Sequence, residues 1–390
     1  AKRGLDFFAY QVHFPENKNT LEKYYNHWER LKFLKKCGFK INENSVVLSD
    51  RESLKNYCNL WEKKRKTIEF ETDGIVLKVN DIEIQEKLGF TEKSPRWAIA
   101  LKFPAEEVST KIKSLTFQVG RSGTITPVAN FHPVLLAGTK VSRATLHNMD
   151  RFALLNIHEH DTLVVKKAGE IIPEVVKVIQ ELRIKSAKKF SFPEYCPKCK
   201  SKLEKSNEES AVKCRNYKCE GIQTGLIKHW CSKGAMNIDG LGSKMIEQLF
   251  ETNLVKNIAE IYYLSNESLE KLERMGQKSA NNLLVAINKS KKRGWNHKLY
   301  ALGINHIGFV TAKNICRVYQ NITDLKVALA MHPEKLEEIN GIGKEIIESL
   351  CNWFSDSNNL ELLKDLESKG VKFEEKEEIS KEISNFRLKE

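Results

Sequence analysis

A chain of 390 residues is too long for a single hydrophobic core and long enough for two to four domains. Hydrophobic residues make up 41% and charged residues 29%, as in an ordinary globular protein, and no run approaches the roughly 18 apolar residues of a membrane-spanning helix. The net charge of +13 favours a polyanionic partner, nucleic acid first and an anionic membrane surface second.

The first stretch, "AKRGLDFFAY", starts at Ala1 without a methionine or a signal peptide and enters at once as a strand-like run. That is how the middle of a domain reads, and a chain truncated at its front is expected. "TLEKYYNHWERLKFLKKCGF" carries apolar residues at helical spacing and closes on Gly38 as a C-cap, and "DRESLKNYCNLWEKKRKTI" predicts a second helix. Two strand-like runs follow, "EFETDGIVLKV" and "SPRWAIALKFP", ending on Lys78 and Lys102. Residues 1–105 are therefore α/β in character.

From 106 to 188 the pattern is almost purely β, in short strands punctuated by glycine and proline, which suits a small barrel. Nine cysteines are present, and four of them form C-x2-C, fourteen residues, then C-x4-C. Cys196, Cys199, Cys214 and Cys219 have the spacing of a tetrahedral Zn²⁺ site, structural because four thiolates leave no open coordination position. A segment so short and polar would draw most of its folding free energy from the metal. The other five, Cys37, Cys58, Cys231, Cys316 and Cys351, are scattered, so a reducing compartment is expected.

The stretch from 225 to 366 is helical and repeats a glycine turn that opens a helix. The turns carry Gly240 and Gly242, then Gly276, then Gly308, then Gly341 and Gly343 followed by Lys344. Glycine permits close backbone approach, and a bare helix N-terminus offers N–H groups to a phosphate. An ordinary helical bundle would use such turns merely as tight connections, but four of them resemble helix–hairpin–helix DNA-binding motifs. Residues 367–390 are charged and poorly patterned, and read as a linker or tail.

The two strand lysines admit two readings. Each alone could point to solvent, and Asp73-Gly74 alone could be a hairpin turn. The other reading places both lysines along a cleft where they neutralise phosphate oxygens, with Asp73 holding a metal or orienting a hydroxyl.

In this context "FETDGIVLKVN" resembles nucleotidyltransferase motif IV, and "SPRWAIALKFPAEE" motif V, of bacterial-type NAD-dependent DNA ligases. "LDFFAYQV" is similar to that family's "FFAYG" strand, with Gln11 in place of glycine, and "FQVGRSGTITPVANFHPVLLAGTKVSRATLHN" resembles the opening of its OB-fold domain. The cysteine cluster and hairpins then follow in the family's order over 1–366. The resemblance implies a multidomain α+β protein. A partial nucleotidyltransferase domain, ATP-grasp-like, would occupy 1–105, an OB-fold barrel 106–188, a four-cysteine zinc finger 189–224, a helix–hairpin–helix domain 225–366 and a tail 367–390.

By that resemblance Lys78 and Lys102 would meet the nucleotide α-phosphate, Asp73 would serve the metal or acid–base chemistry, and Arg65 would be an active-site arginine. Arg121, Ser122 and Gly123 would approach DNA at a nick, and Lys166 and Lys167 would add backbone contacts where the family more often has arginine. NAD⁺, structural Zn²⁺ and Mg²⁺ or Mn²⁺ are the implied cofactors. Nicked double-stranded DNA is the partner, no membrane is involved, and a cytoplasmic, nucleoid-associated monomer is expected.

The family's reaction begins at a lysine in Lys-x-Asp-Gly. Here Glu71 stands at that position before Asp73-Gly74, and Asn237 before Asp239-Gly240. The chain as given is therefore expected not to adenylate itself, its nucleophile, N-terminal domain and BRCT domain belonging outside these residues. Two alternatives remain: a shortened, inactive module that binds nicked DNA, and a non-ligase zinc and hairpin repair protein.

Overall fold

The computed structural model describes residues 4–14, 24–70, 72–91, 93–136, 138–168, 172–205 and 211–375. The chain divides into two compact units, one of 1–108 with 135–139 and 166–173, the other of 109–134, 140–165 and 174–390.

In the first unit, helix α1 (His27–Lys36) starts at Asn26, whose side chain accepts from the Glu29 N–H. Gly38, at φ +86°, turns the chain out of the helix as the C-cap reading expects. Leu31 and Leu34 from α1 pack with Ala9 and Ile41 in a small core. Helix α2 (Arg51–Lys64) is capped by Asp50 and buries Trp61. Strands β1 (Gly74–Lys78) and β2 (Ala98–Lys102) form an antiparallel pair, with helix α3 (Ile82–Leu88) between them in sequence.

The stretch "LDFFAYQV" does not form the expected strand. Among the described residues it joins no ladder, and it holds the unit through one backbone bond, Ala9 N to Lys40 O at 2.8 Å. Leu5, Phe7 and Tyr10 stay exposed. An alternating pattern becomes a strand only beside another strand.

A closed barrel, most of it within the second unit, runs β3–β4–β5–β7–β6, built from β3 (Glu107–Val119), β4 (Ile125–Leu136), β5 (Thr139–Thr145), β6 (Thr162–Ala168) and β7 (Ile172–Val178). Alternation along the strands turns Ile112, Ile125, Phe131, Leu163, Val165 and Val175 inward. The segment is less purely β than expected. Helix α4 (Met149–Leu155) interrupts it, started by the Asn148 side chain and ended by Asn156 at φ +45°. Short capped helices of this kind carry too few turns to show a period.

After α4 in sequence, the fully buried Asp161 accepts from Arg183 Nε and Nη2, each at 2.9 Å, and from the His158 N–H at 2.7 Å. Asp161→Ala would strand these donors, and a loss of about 3 kcal/mol is expected in denaturant unfolding. A midpoint equal to the parent's would show that the ion pair is dispensable.

A two-residue hairpin, β8 (Glu204–Lys205) with β9 (Val212–Lys213), carries the cysteine ribbon. Helices α5 (Glu220–Cys231), α6 (Ser243–Glu251), α7 (Asn266–Glu270), α8 (Gln277–Ser290), α9 (Trp295–Ala301), α10 (Phe309–Val318), α11 (Ile322–Met331), α12 (Lys344–Ser355) and α13 (Ser357–Ser368) follow, sharing one continuous core. That core passes beyond 366 into the stretch read as tail. Val371 and Phe373 are buried, and 373–375 pairs beside 320–322 through Ile322 N to Phe373 O and Glu375 N to Gln320 O. The buried Lys298 ammonium donates to the Lys372 carbonyl at 2.5 Å. Among the described residues no helix is long and apolar enough to cross a membrane.

Candidate functional site

Antiparallel pairing aligns Gly74 with Lys102 and Lys78 with Ala98. Directly opposed residues share a face, so Lys78, Val76, Gly74 and Lys102 lie on one side of the β1–β2 pair. The two lysines stand at its opposite ends, four rungs or about 13 Å apart. Asp73-Gly74 is not a turn: it opens β1, where a Cβ at position 74 would run into the Leu101 carbonyl oxygen.

Lys78 is half-buried. Its ammonium lies 3.5 Å from the Tyr10 carbonyl and 3.4 Å from His27 Nε2, and 5.2 Å from the Tyr10 ring centroid. Burial lowers its pKa from the ordinary lysine value. Burial, Lys78 and Arg30 together bring His27 down to about 4, so at neutral pH the imidazole is uncharged and accepts from the lysine.

At the other end Lys102 donates to Asp73 Oδ2 at 2.8 Å, and this bond holds the Asp73 carboxyl below the usual carboxylate range. Arg65 lies over the Phe103 ring at 5.0 Å and reaches the Pro104 carbonyl at 3.4 Å. A cavity of about 890 Å³ is lined by Lys78, His27, Tyr10, Trp28, Trp61 and Trp97 among others. Lys102, Asp73 and Arg65 are not in its wall. The two lysines thus share a sheet face but not a cavity.

The four cysteine sulfurs lie within 4.8 Å of one another, with Cys196 and Cys219 at 3.8 Å and Cys199 and Cys214 at 3.5 Å. Tetrahedral zinc with Zn–S near 2.3 Å sets its sulfurs about 3.8 Å apart, so the residues present fit the ion. Burial pushes the Cys214 and Cys219 thiols up, which a divalent cation would reverse. Cys219 is also the N-cap of α5, where the helix dipole favours a thiolate. That double placement was not legible in the spacing.

The glycine turns share one geometry. Each has a residue in the left-handed region, a buried apolar residue, and an exposed glycine as N-cap of the next helix. The sets are Gly240-Leu241-Gly242, Arg274-Met275-Gly276, His306-Ile307-Gly308 and Gly341-Ile342-Gly343. Sequence reasoning found the glycines but missed Arg274 and His306. Their signal is position, two residues before an N-cap glycine, rather than residue type.

None of these four caps receives a side-chain hydrogen bond, and a Cβ on Gly242, Gly276, Gly308 or Gly343 would meet open space. Helices α6, α8 and α10 have no acidic residue in the first turn. Lys244 and Lys278 instead place cations at the positive ends of α6 and α8, a placement that favours a bound anion, and Lys344 opens α12 beside Glu345. Lys166 and Lys167 lie in β6, the first half-buried and the second buried, so Lys167 is not the exposed barrel lysine that its neighbours would suggest. Ser122 is exposed beside Thr124, and Gly123, at φ +80°, packs against the Cys214 carbonyl.

Residues 1–106 match the family described as NAD-dependent DNA ligase adenylation domain, and 109–187 match the NAD-dependent DNA ligase OB-fold domain. Residues 234–289 match a SAM-like helix–hairpin–helix tandem and 298–363 a helix–hairpin–helix motif. A DNA ligase of Prochlorococcus marinus is 50% identical over 378 residues, covering 96% of this chain and 55% of that protein. A DNA ligase of Synechococcus sp. (strain WH7803) is 47% identical over 371 residues, covering 95% and 53%. The chain thus spans about half the length of the curated relatives it matches. The chain carries the adenylation and OB-fold domains of the NAD-dependent DNA ligases, joined in order to helix–hairpin–helix repeats.

Proposed function

We propose that the chain forms part of an enzyme that seals nicks in duplex DNA, using NAD⁺ as the source of AMP and serving replication and repair. AMP would pass to the 5′-phosphate of a nick, and the adjacent 3′-hydroxyl would then displace it and close the strand. What supports this reading is the shared sheet face of Lys78 and Lys102, with Asp73 beside the latter, in a segment that matches an adenylation domain.

Each lysine would neutralise oxygens of the α-phosphate as charge builds on them. Half-buried Lys78 would do so with the stronger field, and Arg65 would add a planar donor. Mg²⁺ or Mn²⁺ would rest on the Asp73 carboxylate and on substrate phosphates, once those phosphates draw Lys102 away. The zinc ribbon would be structural. The hairpins, with the Arg121–Gly123 turn and the half-buried Lys166, would grip the DNA backbone, whereas Lys167 is buried and would have to turn outward to join them. A cytoplasmic, nucleoid-associated monomer fits this role.

Two measurements test the reading. Incubation with NAD⁺ labelled in its adenylate should leave the 390-residue chain unlabelled, because Glu71 and Asn237 occupy the nucleophile position of its two Asp-Gly pairs. A chain extended upstream through a Lys-x-Asp-Gly segment should take the label. Labelling of the chain alone would overturn the assignment of the nucleophile, while failure of the extended chain to label would favour a module that binds nicks without joining them. Affinity for a nicked duplex should also fall steeply with salt and hardly vary with base sequence. A flat salt dependence would remove the hairpins as phosphate binders.

A further inference from the structure

The turn between β3 and β4 is closed by Gly120 N–H to Thr124 O and Gly123 N–H to Gly120 O, each at 2.9 Å. Arg121 stands in it, and its guanidinium Nη1 lies 2.8 Å from Nδ1 of His229 on α5. The other ring nitrogen of His229, Nε2, lies 2.8 Å from the Tyr300 carbonyl oxygen.

A guanidinium can only donate and a carbonyl can only accept. Both contacts are therefore satisfied by one form of the ring, neutral, with its proton on Nε2 and a lone pair on Nδ1. An imidazolium would set an N–H against the arginine. Burial and the Arg121 charge both favour the neutral form.

Two glycines make room for this arrangement. A Cβ at Gly225 would lie 2.9 Å from the Arg121 backbone, and one at Gly303, itself at φ +71°, would lie 3.3 Å from His229 Cδ2. His229 is 9% exposed, whereas Arg121 remains exposed.

We propose that His229 is a positioning residue for Arg121: it ties one arm of the guanidinium fork so that the remaining N–H groups face outward toward a phosphate of the nicked strand. The tie fixes a long side chain before DNA arrives, which removes part of the ordering cost of the contact. It uses an acceptor that cannot compete for the phosphate. The inference rests on the reading of the Arg121–Gly123 turn as a DNA contact.

The test is binding of the 390-residue chain to a fluorescent nicked duplex, for R121A, H229F, H229N and the double variant R121A/H229F. R121A and H229F should each weaken binding about tenfold, the worth of one charge-assisted hydrogen bond. The double variant should bind no more weakly than R121A alone, and H229N, whose amide oxygen can stand in for Nδ1, should recover most of the affinity. Losses that multiply in the double variant would make His229 an independent structural residue and overturn the inference, as would H229F binding like the parent while R121A is weak. A folded H229N that stays as weak as H229F overturns it too. R121A binding like the parent would instead show that the turn does not touch DNA, and the functional reading of that turn would fall with the inference.

Discussion

Cys214→Ser is expected to reduce bound zinc from one equivalent to none and to unfold the ribbon. The four sulfurs already stand at zinc spacing, and little else holds the segment. Its strands are two residues each, and among the described residues the cysteines cluster with buried Ile222 and the partly buried Val119, Leu203 and Leu226. Structural zinc contributes on the order of 10 kcal/mol at neutral pH, far more than such a core can supply. The loss should spread to the barrel, because Cys214 N–H donates to the Gly123 carbonyl at 2.9 Å and Lys213 bridges Thr124. Elemental analysis and protease sensitivity of 196–219 read the two effects. Retained zinc in the variant would show that this cysteine is not a ligand.

Lys102→Ala should lower nick sealing by about 10²- to 10³-fold in a chain extended upstream through a Lys-x-Asp-Gly segment, the usual loss when one preorganised donor is removed from a developing charge. Folding stability should hardly change. Lys102 and Asp73 are 50% and 54% exposed, and a pair so wet contributes less than about 1 kcal/mol. An effect on catalysis without one on stability separates a phosphate-binding lysine from a strand lysine that merely holds Asp73. Sealing within threefold of the parent would return Lys102 to the surface. Lys78→Ala should act in the same direction, with a rise in the His27 pKa from about 4, since the ammonium is one of the groups that hold it down.

Much of this was legible before any coordinates, for identifiable reasons. Metal ligation demands fixed residue types at short spacing, so the cysteine cluster showed itself. The hairpin glycines did so because they recur at the same place, just before a helix, at intervals along the chain. Less visible was whatever depends on a distant partner. The role of Gly74 follows from the register of β1 on β2, which brings the Leu101 carbonyl against it. "LDFFAYQV" has the pattern of a strand and no neighbouring strand among the described residues. Val371 and Phe373 were hidden by charged neighbours, although both close the helical core. His229 sits in an amphipathic helix like any polar residue, and only the fold brings Arg121 and the Tyr300 carbonyl to its two nitrogens.

One residue, Cys219, serves two ends at once, as a sulfur of the four-cysteine cluster and as the residue that starts α5. Serine or aspartate there would begin the helix well and surrender the soft donor that zinc prefers, while alanine would satisfy neither. A change to serine or aspartate at this one position should therefore show as lost metal before lost helix.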